Sequence, residues 1–421
     1  MENTEHLFRR EAGRMVSVLT RIFGVHNLAL AEDVVQDAFC RALETWSFRG
    51  VPENPAAWLM ATAKNRALDV LRRQRTAMTF APEFGRLLDS EWTIVPTVEE
   101  VFEPKAIKDD QLRMMFSCCH PRLKEEAQVA LILHILCGFS VSEIAEAFVS
   151  PHSTIEKRIT RSKQVLATSK KLIDVASAVE TSQRLPAVHR ALYLLFNEGY
   201  HGSSPTATIR EELCREAMRL TSILLTHPQG IVPATYALAA LMSLDAARMP
   251  GRVDASGQLQ TLFEQDRSKW DQQLVREGMS LLELSAEGST LSEYHIEAAI
   301  ASMHIRADRA EETDWKTIVS LYDKLLVIRR SPIVALNRAI AVAQHEGPER
   351  GLEEMANIGN KDRLIAYPFY FAALGEFELR VGRQSVARDR FRAASALARS
   401  QMERNFFLQR MAACGSEEMS E

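Results

Sequence analysis

A chain of 421 residues, 46% hydrophobic and 25% charged, has the makeup of ordinary globular protein and is long enough for two or three domains with cores of their own. Its formal net charge of −4 excludes a wholly basic nucleic-acid coat protein, although one local basic face would suffice for DNA binding. The six cysteines (Cys40, Cys118, Cys119, Cys137, Cys214 and Cys414) form no CxxC and read as reduced cytosolic thiols, and Cys118 with His120 lacks a second ligand pair at metal-binding spacing.

The N-terminal MENTEHLFRREAGRM has neither the apolar stretch nor the cleavage site of a secretion signal. The longest apolar runs, such as VALILHILCGF, are too short to span a bilayer. A cytoplasmic protein that engages no membrane is expected. Helical periodicity runs throughout and strand alternation is nearly absent, so the fold should be all-α.

Residues 1–78 read as a compact helical block. From Ala31 to Trp46 the apolar positions Val34, Val35, Ala38, Phe39, Ala42, Leu43 and Trp46 form one stripe, and Glu32, Asp33, Gln36, Asp37 and Glu44 face away from it. After the loop FRGVPENP, Asn54 is a natural N-cap with Pro55 at the first helical position. The helix that follows buries Trp58, Leu59, Thr62, Ala63, Ala67, Val70 and Leu71. Its opposite face carries Asn65, Asp69, Arg72 and Arg73 at i, i+4, i+7 and i+8, with Arg66 beside them. A basic face with an amide can hold phosphates and the edges of unpaired bases, or can simply keep a helix soluble.

Residues 79–105 have weak periodicity and several prolines. Six acids against one base between Glu83 and Glu103 make this an acidic linker.

Residues 106–172 read as a second helical block that ends in a helix-turn-helix. Ile144, Ala145 and Phe148 give a short helix its inner face, Val149 to His152 supply the turn, and Ser153 or Thr154 can cap the next helix. Ile155, Ile159, Ser162 and Leu166 form the inner face of that helix. Six bases and one acid between Ser153 and Lys171 make it basic, as suits a helix lying in the major groove.

Residues 173–421 read as an all-helical extension, cut into hairpin-sized pieces at HGSSP (201–205), HPQG (227–230), MPGR (249–252) and HEGPE (345–349). In FAALGEFELRVGRQSVARDRFRAASAL, the residues Leu374, Gly375, Gly382, Ala387, Phe391 and Ala394 have the spacing of tetratricopeptide repeats. A looser unit holds Trp315, Ile318 and Tyr322, with Ser331 at the next small position. Such hairpins stack into a concave binding face or serve as plain scaffold. In LYLLFNEGYHGSSP, Gly199 fits a helix C-cap, and Glu198 and Tyr200 are candidates to face a partner. There is no P-loop, GxGxxG, HExxH or nucleophile elbow, so no enzyme, metal or cofactor is expected. His134, on an apolar helix, reads as a satisfied core residue.

Taken together, residues 7–170 resemble the extracytoplasmic-function sigma factors of bacterial RNA polymerase. AEDVVQDAFCRALETW resembles their polymerase-docking helix, PAAWLMATAKNRALDVLRRQR their −10-recognising helix, and LKEEAQVALILHILCGFSVSEIAEAF with STIEKRITRSKQVL their −35-binding domain. The resemblance implies sigma domain 2 at 1–78 and sigma domain 4 at 106–172. It implies core-polymerase contacts at Asp33, Gln36 and Asp37 on the β′ clamp helices, with Phe39 left to the core, and a further contact on the β flap. It implies that Asn65, Arg66, Arg72 and Arg73 engage melted −10 DNA, that the Phe48–Asn54 loop lines the base pocket, and that Thr154, Lys157, Arg158 and Arg161 read duplex −35 DNA. The extension resembles that of the sigma-factor subgroup with a tetratricopeptide-like C-terminal domain, which regulates activity through an intramolecular or protein partner. Two other readings stay open on residues alone: a regulator that binds duplex DNA by itself, and an interaction scaffold.

Overall fold

A computed structural model describes residues 2–79, 104–148, 150–168, 178–200, 210–254, 256–359 and 364–415. The described residues are helical, with one isolated β-bridge between Val253 and Leu259. Residues 80–103 of the acidic linker, HGSSP, Val149, Lys170 and Lys171 lie outside the described residues, and the linker's ends at Thr79 and at Pro104 and Lys105 are helical. The chain forms two compact units, Met1–Leu195 and Phe196–Glu421.

In the first unit, α1 (Glu2–Phe23), a 3-10 turn (Val25–Asn27), α2 (Leu28–Arg49) and α3 (Pro55–Thr79) form one module. The second module has α4 (Pro104–Cys118), α5 (Glu125–Ile135), α6 (Val141–Ala147) and α7 (His152–Ala167), and α8 (Ala178–Tyr200) follows. Helix α1 packs on α2, α3, α4 and α5. Asn54 caps α3 as its sequence predicts, its Oδ1 accepting from the Ala57 amide at 3.0 Å. Val34, Val35, Ala38, Ala42 and Trp46 of α2 are buried against α1 and α3. Leu43 departs from the predicted stripe: it is 58% exposed, because it lies at the stripe's edge, where no neighbouring helix covers it. Phe39 stacks on Phe8 at 4.5 Å, and Phe8, Trp46 and Trp58 continue the aromatic contact.

The second unit is a run of short antiparallel helices. Its first helices after α8 are α9 (Glu211–Leu224), α10 (Pro233–Ala247), α11 (Gln272–Ser285) and α12 (Glu293–Arg306). Helix α10 is predominantly apolar and sits among α9, α11 and α12. Then come α13 (Trp315–Ile328), α14 (Pro332–Glu346), α15 (Pro348–Ala356), α16 (Pro368–Arg380), α17 (Gln384–Ala396) and α18 (Gln401–Ala412), each packed on the next. Small residues set the close approaches. A Cβ at Gly351 would lie 2.4 Å from the Ala343 methyl, and one at Gly375 3.0 Å from the Phe391 ring. Ala387, Phe391 and Ala394 are buried, the positions the repeat spacing picks out.

The LFNEGY segment departs from its sequence reading. Gly199 lies inside α8 with helical backbone and is no C-cap. Its missing side chain admits Cys214, since a Cβ there would meet the Cys214 Sγ at 2.7 Å and the Arg210 carbonyl oxygen at 2.8 Å. Tyr200 is buried, with the Arg252 guanidinium 4.1 Å above its ring, so it presents no face to a partner.

Candidate nucleic-acid interface

The helix-turn-helix begins with a reciprocal cap. The Ser140 amide donates to Glu143 at 2.8 Å, and the Glu143 amide donates to the Ser140 hydroxyl at 3.2 Å. Ile144 and Ala145 are buried on α6, and Ile155, Ile159, Ser162 and Leu166 are buried on α7, as their spacing predicts. Helix α7 packs on α5 and α6. It starts at His152 with Pro151 as N-cap, so neither Ser153 nor Thr154 caps it. Proline's fixed φ suits the boundary, and the Thr154 amide donates to the Pro151 carbonyl at 2.9 Å. This leaves the Thr154 side chain exposed. Lys157 and Arg161 are exposed on the same face and Arg158 is half-buried. Among the described residues no ion pair engages these three bases, so their charge faces outward.

On α3, Asn65, Arg72 and Arg73 are exposed and Arg66 is half-buried, opposite buried Leu59, Ala63 and Ala67. On α2, Asp33, Gln36 and Asp37 are exposed. The two sets meet: Arg66 Nε lies 2.8 Å from Asp37 Oδ2, which ties a proposed DNA contact to a proposed polymerase contact. Both partners are solvated, so the pair is weak and exchangeable. Arg72 lies 3.7 Å from Asp69. At the end of α2, Phe48 is 92% exposed, and Leu43 and Val51 are exposed as well. A bare aromatic ring in the Phe48–Asn54 segment suits base stacking. The sequence signal for this patch was the aromatic residue entering a Pro/Gly loop.

Sequence reasoning missed the polar contacts between the two modules. Lys163 Nζ lies 2.7 and 2.8 Å from the two Glu32 oxygens and 3.0 Å from His134 Nε2. His134 Nδ1 contacts the Phe139 carbonyl oxygen at 2.9 Å and its Nε2 lies 3.4 Å from Glu32. His134 is therefore a bridging residue at the edge of the core. Burial works to raise the Glu32 carboxyl, but the His134 hydrogen bond and the Lys163 charge outweigh it and hold the group below its ordinary value. Asp110 of α4 is buried between Arg113 at 2.8 Å and Arg21 of α1 at 3.4 Å. Burial pushes the Cys118 thiol well up and the Cys119 thiol to about 12, which keeps both protonated and unreactive near neutral pH.

Two small helical modules, one ending in a helix-turn-helix with an outward basic face, define a multi-module helical DNA-binding protein. Residues 7–77 match sigma-70 region 2 and residues 113–166 match sigma-70 region 4. Residues 184–286 match a family of unknown function, DUF6596. An uncharacterized protein of Rhizobium meliloti (strain 1021) is 37% identical over 386 residues, 91% of this chain and 89% of the relative. A probable ECF RNA polymerase sigma factor, SigI of Mycobacterium tuberculosis, is 25% identical over 191 residues, 45% of this chain and 60% of the relative. An ECF RNA polymerase sigma factor, SigK of a Mycobacterium strain, is 23% identical over 157 residues, 36% of this chain and 75% of the relative. No solved structure matches the chain. The chain belongs to the extracytoplasmic-function family of RNA polymerase sigma factors, in a form with a long helical C-terminal extension. Its partners are core RNA polymerase and promoter DNA, and the family is not a class of enzymes. Among the described residues no helix is long and apolar enough to cross a membrane.

Proposed function

We propose that residues 1–78 bind core polymerase and the melted −10 element, that 79–105 link them to a −35-binding domain at 106–172, and that 173–421 regulate the output. Asp33, Gln36 and Asp37 dock on the β′ clamp helices, while the second module reaches the β flap. Asn65 holds an unpaired −10 base, and Arg66, Arg72 and Arg73 hold the strand's phosphates. Thr154, Lys157, Arg158 and Arg161 read the −35 duplex. The observation that carries this reading is that each motif puts its polar set on the solvent face of a helix whose other face is buried.

The mechanism requires no bond chemistry from this chain. Core polymerase supplies catalysis in the cytoplasm, where the proposed complex works. Helix α7 fixes register on the duplex, and α3 captures bases as they unstack. Contacts made only with the opened strand offset an unstacking cost of a few kcal/mol per base. Each phosphate neutralised by the basic faces adds about 0.9 to the log–log salt slope of binding.

The direct test is promoter-specific run-off transcription with purified core polymerase. DNA binding without transcription would favour a stand-alone regulator. Asn65→Ala should weaken open-complex formation by about 1–3 kcal/mol, the value of one good base contact, and permanganate footprinting of the melted region measures it. Unchanged opening removes Asn65 from the site. The regulatory role of the extension is tested by truncation after Leu195, which leaves the first compact unit whole. A cut near residue 180 would also strip Leu185, Val188, Ala191 and Leu192, all buried, from that unit. Output should change several-fold, whereas equal output from the full and shortened chains makes the extension a passenger.

A further inference from the structure

We propose that Arg248, Arg267, Trp270 and His304, all in the second compact unit, form a binding site for a phosphate dianion, either the free ion or the phosphate group of a small organic molecule. The site belongs to the extension alone and stands apart from the promoter reading.

Residues 248–271 join α10 to α11 through two 3-10 turns and the Val253–Leu259 bridge, a length of connection that compact domains seldom carry without a function. This connection brings Arg248, Arg252, Arg267 and Trp270 together. The Trp270 side chain is 4% exposed, and two guanidinium groups lie over its ring, Arg267 at 4.7 Å and Arg248 at 5.7 Å from the centroid. Arg252 lies over the Tyr200 ring at 4.1 Å. Asp245 of α10 answers this group of bases, 3.8 Å from Arg248. Burial raises its carboxyl above the ordinary value although Arg248 and Arg252 oppose the rise, so it is a weak counter-charge. The other acids near Arg267, namely Asp308, Glu311 and Glu312, are exposed to solvent.

Within this cluster Arg248 Nε, Arg267 Nη2, Trp270 Nε1 and His304 Nδ1 are buried and meet no hydrogen-bond partner among the described residues. The first three can only donate, and a neutral imidazole can donate from Nδ1 as well. Folded proteins leave few buried donors unpaired, so several in one place call for an acceptor. Burial, with the charges of Arg248 and Arg267, lowers His304 to about 3, which keeps its ring neutral and places it beside both arginines. Arg267 also caps α12: its Nη1 donates to the His304 carbonyl at 2.7 Å and to the Ala307 carbonyl. That duty leaves Nη2 unserved. Three arginines against one weak acid leave an excess of positive charge that a dianion balances, and guanidinium groups match phosphate oxygens in geometry. A carboxylate, with one charge, would leave part of the excess uncompensated. The inner donors are closed to solvent, whereas Arg248, Arg252 and Arg267 are half-buried, so an anion enters by parting these long side chains.

Isothermal titration calorimetry of the full-length protein at constant ionic strength tests the site, with inorganic phosphate, phenyl phosphate and acetate as probes. A phosphate probe should bind at one site per chain, and acetate about tenfold more weakly or less. Tighter phenyl phosphate identifies an esterified ligand, and tighter inorganic phosphate the free ion. Trp270→Phe keeps an aromatic ring but lacks the indole N–H, and Arg248→Gln removes one charge; each should weaken phosphate binding about tenfold. Arg404→Gln, on the exposed side of α18, should leave it unchanged. Hydrogen exchange on the unaltered protein needs no variant: phosphate should slow exchange across residues 248–271 and at the end of α12. The site is overturned if neither phosphate probe binds, if acetate binds as tightly, or if both Trp270→Phe and Arg248→Gln bind phosphate like the parent. Protection confined to the basic faces of α3 and α7 overturns it too, since phosphate would then sit on the outward bases of the first unit.

Discussion

Phe391→Ala should lower the stability of the C-terminal hairpin by about 3–5 kcal/mol, the cost of removing a fully buried aromatic ring from a core that cannot close over the hole. The expected size follows from the ring's position. Phe391 of α17 is buried with Ala387 and Cys414, and Ala372, Leu379 and Met411 pack against that group. Gly375 of α16 lies against the ring's edge, so glycine makes the space the ring fills, and neither residue works without the other. Collapse would require α16 and α17 to approach further, yet Ala387 and Ala394 already leave little side chain to yield. Hydrogen exchange measures the effect by segment. Amides of α16, α17 and α18 should lose protection, while those of α1 to α7 in the other compact unit keep theirs. Unchanged protection in α16–α18 would mean that the hairpin draws its stability from elsewhere in the extension.

Phe391 also marks what a sequence can tell. A small residue on one helix and an aromatic one on the next repeat at a spacing that only a tight hairpin explains, so this pair was readable. The polar faces of α3 and α7 were readable for a similar reason: their apolar positions recur at helical intervals, which assigns the remaining residues to solvent. Leu43 was misplaced because periodicity gives a direction on a helix and not whether a neighbour stands there. Gly199 was misread because a glycine after an apolar run fits both a cap and a close crossing, and the deciding residue, Cys214, lies on the next helix. Burying Tyr200 likewise depended on Arg252, 52 residues away. The pairing at Lys163 was beyond reach of any local pattern. Glu32 is 131 residues from Lys163, and each is one charge among many on a polar helix face. Pairings of that kind come from the way the modules pack, and nothing in either helix's own periodicity encodes them.

Asp110 carries the second large effect, one that depends on pH. Burial raises its carboxyl to about 6 from an ordinary 3.8, with the charges of Arg21 and Arg113 and their hydrogen bonds opposing the rise. One carboxylate oxygen meets both arginines, and the other accepts no hydrogen bond among the described residues. The folded protein therefore binds this proton more tightly than the unfolded chain does. The stabilisation that results is fully present below about pH 4 and is lost as pH rises through about 6; above that, a buried carboxylate with one unserved oxygen remains. Asparagine has the same shape and never ionises, and the two arginines are part-exposed and can turn to water. The unfolding free energy of Asp110→Asn minus that of the parent should thus rise by about 3 kcal/mol between pH 4 and pH 7, following the two-unit shift. Urea denaturation of both proteins across that range gives the difference directly, and the many carboxylates common to both cancel. A difference that stays flat would mean that Asp110 ionises as it does in water, and that its arginine partners fully compensate its burial.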